Sequence, residues 1–138
     1  QAVIEAISDG TIDAIASDHV PVDGDAKAQP FGPAQPGASS LDTLLALTMT
    51  LVQQGQISLL RAFEALSLAP ATILDVTGGT LMPGAAADII VVRPDTGWLV
   101  RGADFASLSR ITPFEGQPVQ GLVDATYVDG VCVFSRHT

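Results

Sequence analysis

Hydrophobic and polar positions change their rhythm several times along this chain. Residues 2–8 (AVIEAIS) read as the end of a short helix, stopped by Asp9 and Gly10. The run 12–17 (IDAIAS) is short, rich in β-branched residues and mostly apolar, as a buried parallel strand would be, and it passes directly into Asp18-His19. Periodicity then stops. Residues 20–40 carry prolines at 21, 30, 33 and 36 and glycines at 24, 32 and 37, which predicts a long loop. A loop of that length inside a compact domain is usually a functional lid or a disordered segment.

A helical pattern follows. Ser39 and Asp42 have capping-box spacing, so a helix is expected to open at Ser39. Leu41, Leu44, Leu45 and Val52 mark one apolar face, but Leu47, Met49 and Leu51 leave little polar face, so wide burial is expected. A second helix is expected near Ser58, with Leu59, Ala62, Phe63 and Leu66 inward. Pro70 suits the first turn of a third, 70–75, ended by Gly78 and Gly79. Beyond them the texture becomes β. Pro83-Gly84 signals a turn before a strand at 88–92, and residues 126–134 (TYVDGVCVF) read as a hairpin about Asp129-Gly130. The chain therefore divides near residue 78, into an α/β part (1–78) and a mostly β part (79–138).

Composition narrows the function. Of 138 residues 47% are apolar and 15% charged, high in apolar content for a small domain, so much of the surface is expected to meet something else. The six Lys and Arg are scattered in a chain of net charge −9, which argues against nucleic-acid binding. The longest near-apolar stretch, 44–52, is far short of a membrane span, so no membrane role is expected. Cys132 is the only cysteine, so no internal disulfide forms, in keeping with a reducing, cytoplasmic setting. It is expected to be a buried structural thiol. Lys27 is expected to be solvated, Asp88 to order a turn, Trp98 and Phe105 to pack, and His137 to belong to the C-terminal tail. Gln1, not Met, opens the chain, and the expectation is a piece of a longer protein.

The chemistry centres on Asp18. In α/β barrels the reacting residues stand at the C-terminal ends of strands. A carboxylate there can act as metal ligand and as general base. His19, next along, should point away from Asp18, to brace the site or line its wall.

Residues 12–52 resemble the last barrel strand, loop and helix of a dihydroorotase, a member of the amidohydrolase superfamily. The family pattern Thr/Ser-Asp-His-x-Pro-His is matched by Ser17-Asp18-His19-Val20-Pro21-Val22. Lys27, Pro30-Phe31, Gly37 and Ser40-Leu41-Asp42-Thr43 follow in the family's order. Leu66-Ser67-Leu68-Ala69-Pro70-Ala71, Gly84-Ala85-Ala86-Ala87-Asp88-Ile89 and Thr112-Pro113-Phe114-Glu115-Gly116 resemble later motifs, which hydantoinases and allantoinases share. The resemblance implies the C-terminal fragment of a (β/α)8 barrel followed by strands of a small β-sandwich. It also implies a zinc-dependent hydrolysis of the cyclic amide of dihydroorotate in pyrimidine biosynthesis. Asp18 would be the catalytic residue and a metal ligand, with Gly37 and His19 on the substrate side.

The departures matter too. The motif's second histidine contacts substrate, and Val22 stands there without a hydrogen-bond donor. Ser40 and Asp42 replace Gly and Glu. Asp18 and His19 alone cannot hold a catalytic zinc, which needs about three protein ligands. Two readings follow: an enzyme part inactive by itself, or a non-catalytic relative that supports aspartate transcarbamoylase assembly. A lone barrel strand lacks ladder partners, so the expected associate is the remainder of the barrel, or a second copy docked through the apolar helix 41–52.

Overall fold

The computed structural model describes residues 1–136; His137 lies outside them. Helix α1 (Ala2–Asp9) ends at Gly10, whose left-handed backbone (φ 85°) lets the chain turn back. Asp9 accepts from the Thr11 N–H at 2.9 Å, and the Thr11 hydroxyl and N–H hold its carboxyl below the usual carboxylate value. A single helical turn, α2 (Gly24–Lys27), interrupts the long loop. Helices α3 (Leu44–Gln53), α4 (Leu59–Phe63) and α5 (Ala69–Ile73) precede an antiparallel sheet of β1 (Ile89–Leu99), β2 (Pro118–Val128) and β3 (Val131–Ser135), with β2 central.

Helix α3 stands in the middle. Ala46 joins Val100, Phe105 and Val119 in one core, with Leu47, Trp98 and Phe114 against it. Leu51 and Val52 pack on a second core of Ile7, Ile57 and Ala62. The helix is thus shared between the helical part and the sheet, but the wide burial expected for it is only partly met: Ala46, Thr48 and Met49 are buried, Leu44, Leu45 and Val52 are half-buried, and Leu41 just ahead of it is exposed. Gly121 of β2 makes the close approach possible: it has φ +97°, and a Cβ there would lie 2.9 Å from Met49 Cγ.

Helices α4 and α5 are not separate, as the sequence suggested, but joined by a π-helical turn, Glu64–Leu68. Pro70 has no N–H, and its ring crowds the carbonyl four residues back, which a wider turn relieves. The Ser58 hydroxyl caps α4 by accepting from the Arg61 N–H at 3.1 Å. Helix α5 stops at Ile73, before the glycines at 78 and 79.

Residues 12–17 form no strand, because no neighbouring strand lies beside them among the described residues. They are half-buried or exposed, and other groups serve their backbone. The Ile15 N–H donates to the Ala65 carbonyl at 2.9 Å. Arg61, with a side chain only 13% exposed, donates to the carbonyls of Ile7 (2.8 Å), Ile12 (2.6 Å) and Asp13 (3.1 Å), and pairs with Glu64 at 3.0 Å.

The hairpin at Asp129-Gly130 forms as expected; both residues have positive φ (48° and 76°), as a type I′ turn requires. Asp88 braces that turn, accepting from the Asp129 N–H at 2.8 Å. The first strand runs further than residue 92, to Leu99. Its register slips between Arg93 and Gly97, where Pro94 needs no ladder donor. Cys132 is exposed rather than buried, because it lies on edge strand β3, where Val131, Val133 and Phe134 are also uncovered. Phe105 is buried, and the Trp98 indole donates to the Gly121 carbonyl at 3.0 Å.

Arg61→Met should leave three carbonyls without their charged donor and cost roughly 2–4 kcal/mol, read as a lower urea midpoint. Gly121→Ala should cost about 1–3 kcal/mol by forcing α3 off β2, read the same way.

Candidate functional site

The stretch anchored by Arg61 and Ala65 delivers Asp18 to a sharp bend. Asp18 is exposed and has φ +46°, a left-handed conformation uncommon outside glycine. No hydrogen bond or ion pair engages its carboxylate among the described residues. Both neighbours are fixed. The Ser17 carbonyl accepts from the Ser40 hydroxyl at 2.6 Å. His19 Nδ1 accepts from the backbone N–H of Ser40 at 3.0 Å and of Leu41 at 3.3 Å. An accepting Nδ1 places the ring proton on Nε2. The ring borders a shallow cleft lined also by Leu41, Asp42, Ala106 and Ser107.

Residues 38–42 are therefore capped by His19, not by a Ser39–Asp42 box. Ser39 is fully buried and committed elsewhere: its N–H donates to the Ile111 carbonyl at 2.7 Å, and its hydroxyl to the Ser109 carbonyl at 2.7 Å. Asp42 accepts from the Ala106 N–H at 3.3 Å. The helix proper begins only at Leu44, after a 3-10 turn, Leu41–Thr43.

The long loop has internal structure. Lys27 is half-buried rather than solvated; its ammonium donates to the carbonyls of Gly37 (2.9 Å) and Gln35 (3.3 Å). Three lone carbonyl contacts close the loop further: Val20 N–H to Ala38 at 3.1 Å, Gln35 N–H to Ala26 at 3.2 Å, and Ala34 N–H to Pro30 at 3.0 Å. Gly37 has φ +131°, and a Cβ there would meet the Val20 carbonyl at 2.5 Å and Val22 Cγ2 at 2.6 Å. Val22 is only 6% exposed, tucked under that glycine, and its carbonyl accepts from the Ser109 hydroxyl at 2.7 Å.

The structure thus ties the neighbours of Asp18, Ser17 and His19, to Ser40, and sets the Gly37 segment against Val20 and Val22. It adds Ser40, Lys27 and Ser109, whose long-range roles no local pattern announces. Among the described residues no group of three or more His, Cys, Asp or Glu converges to hold a metal. Asp18 fits as one oxygen donor; a zinc site is not made up by these residues alone. A hollow of about 660 Å³ lies elsewhere, between α3 and the sheet, and touches neither Asp18 nor His19.

The amidohydrolase family model matches residues 1–133. The chain belongs to the amidohydrolase family. Within that family it is 42% identical over 136 residues to a dihydroorotase of Syntrophus aciditrophicus (strain SB), covering 99% of this chain and 32% of that protein. It is 43% identical over 128 residues to a dihydroorotase-like protein of Pseudomonas putida, covering 92% of this chain and 30% of that protein. An amidohydrolase fold is also seen in solved structures. The L-hydantoinase of Arthrobacter aurescens superposes with a TM-score of 0.91 at 31% identity, over 97% of this chain and 31% of that one. The D-hydantoinase of Thermus sp. superposes at 0.90 and 23% identity, over 99% and 31%. The chain spans about a third of the length of these relatives. Among the described residues no helix is long and apolar enough to cross a membrane.

Gly37→Ala should push the loop off Val20 and Val22 at a cost of about 1–3 kcal/mol. Limited proteolysis should then cut within 28–38 sooner than in the wild type.

Proposed function

We propose that this chain is the C-terminal third of a longer dihydroorotase-like amidohydrolase that hydrolyses a cyclic amide, and that Asp18 moves the proton in that reaction. In this reading residues 1–78 complete a (β/α)8 barrel and residues 79–138 supply strands of a small sandwich. The observation that carries it is the Asp18 bend: an exposed, unengaged carboxylate in a left-handed conformation, fixed on both sides. Support also comes from the exposed apolar side chains, among them Leu60, Leu74, Leu81 and Met82, which in the whole protein would meet the remaining two thirds.

The steps follow from the groups present. Water adds to the ring carbonyl carbon while Asp18 accepts its proton; the carbon–nitrogen bond then breaks, and Asp18 returns that proton to the departing amide nitrogen. A zinc, when bound with ligands from outside these residues, supplies Lewis-acid activation. The Gly37 N–H has no acceptor among the described residues and offers a donor to substrate beside Val20.

Val22 favours a second reading. Its apolar side chain is packed beneath Gly37 where the dihydroorotase motif carries a substrate-touching histidine. A non-catalytic relative that supports aspartate transcarbamoylase assembly has no need of that contact.

Asp18→Asn in the full-length protein separates the two. The enzymatic reading expects wild-type turnover of dihydroorotate and a loss of roughly 10²–10⁴-fold in kcat in the variant. Wild-type protein without turnover, whose sedimentation with aspartate transcarbamoylase is unchanged by Asp18→Asn, would instead establish the second.

A further inference from the structure

We infer that His19 and Ser40 are positioning residues that hold Asp18 in its left-handed conformation, a role that rests on the reading of Asp18 as the reacting carboxylate. Three bonds converge on two adjacent residues of the segment leading into α3. His19 Nδ1 takes the N–H groups of Ser40 and Leu41, at 3.0 and 3.3 Å. The Ser40 hydroxyl donates to the Ser17 carbonyl, at 2.6 Å. Asp18 is the single residue between these anchors, and its own side chain makes no bond that would explain φ +46°.

A left-handed, non-glycine residue persists when its surroundings over-determine it. Here the surroundings are identifiable. The Ser17 carbonyl and the His19 ring are both tied to Ser40, so the backbone must double back between them. The next N–H, of Val20, is tied to the Ala38 carbonyl at 3.1 Å and prevents the bend from relaxing forward. The Ser40 and Leu41 N–H groups are among those that open the 3-10 turn ahead of α3, and an imidazole serves them where a Ser or Asp side chain is usual. The same side chain therefore satisfies a helix start and fixes the carboxylate's backbone. His19 does this through Nδ1 alone.

That dependence on one ring atom yields a test. Asn places its amide oxygen where His has Nδ1, whereas Gln places its amide at the position of Nε2. In the full-length protein His19→Asn should keep Asp18 left-handed in the crystal structure and retain roughly tenfold more kcat than His19→Gln. His19→Gln should release the bend and lower kcat on the order of 10²-fold, with KM within about twofold. Ser40→Ala, which spares the imidazole, should give a loss in the same sense, and Ser40→Thr should restore it. Should His19→Gln fail to fold, the Ser40 pair decides alone. An unchanged φ at Asp18 with unchanged kcat in His19→Gln, or in Ser40→Ala, overturns the inference. If the wild type turns over no substrate, the catalytic reading of Asp18 fails separately, and the φ of Asp18 in the same variants still decides whether His19 and Ser40 hold it.

Discussion

Ser39 has no exposure to water, so its N–H and hydroxyl must find acceptors inside the protein, and the segment around it organises everything else. Its two donors bind the carbonyls of Ile111 and Ser109, far along the chain. On one side of it Gly37 and Ala38 accept from Lys27 and Val20; on the other Ser40 and Asp42 bind Ser17, His19 and Ala106. Five residues thus join the Asp18 bend, the long loop and the connection between β1 and β2. Any one of these bonds contributes modestly, about 0.5–1.5 kcal/mol net, but leaving a buried partner unmade costs more. That asymmetry makes the segment act as one unit.

The consequence reaches the chemistry. In the proposed reaction a proton-carrying carboxylate needs a fixed place more than it needs a perturbed environment, and the bend fixes the backbone of Asp18. Arg61 does the same for the approach to the bend: two charge-assisted bonds, to Ile12 and Asp13, serve the stretch 12–17 that has no ladder, and a third ties it to Ile7. Val22 shows the other side of such tight packing. Its burial under Gly37 serves the loop, and its side chain offers no polar group.

Much of this was readable from the sequence where a local rule governs. Asp129-Gly130 requires a tight turn, Ser58 a helix start, and Pro70 the beginning of a helical turn, because each rule involves neighbours in the chain. The Asp18-His19 pair was legible through its resemblance to the dihydroorotase motif. What failed did so for long-range reasons. Ser39 and Asp42 have the spacing of a capping box but are drawn to Ser109 and Ala106, more than 60 residues away. Lys27 looked solvated until the loop folded its carbonyls around it. Cys132 sits in an apolar run that suggested burial, yet its strand is an edge with both faces uncovered. The continuous strand expected at 12–17 needs neighbours that are not among these residues.

The most direct test of the account is a crystal structure of the full-length protein with zinc located by its anomalous scattering. Zinc is expected at about 2.0–2.2 Å from an Asp18 carboxylate oxygen, with Asp18 still left-handed. A fully folded protein whose Asp18 faces solvent, with no metal near it at saturating zinc, would contradict it.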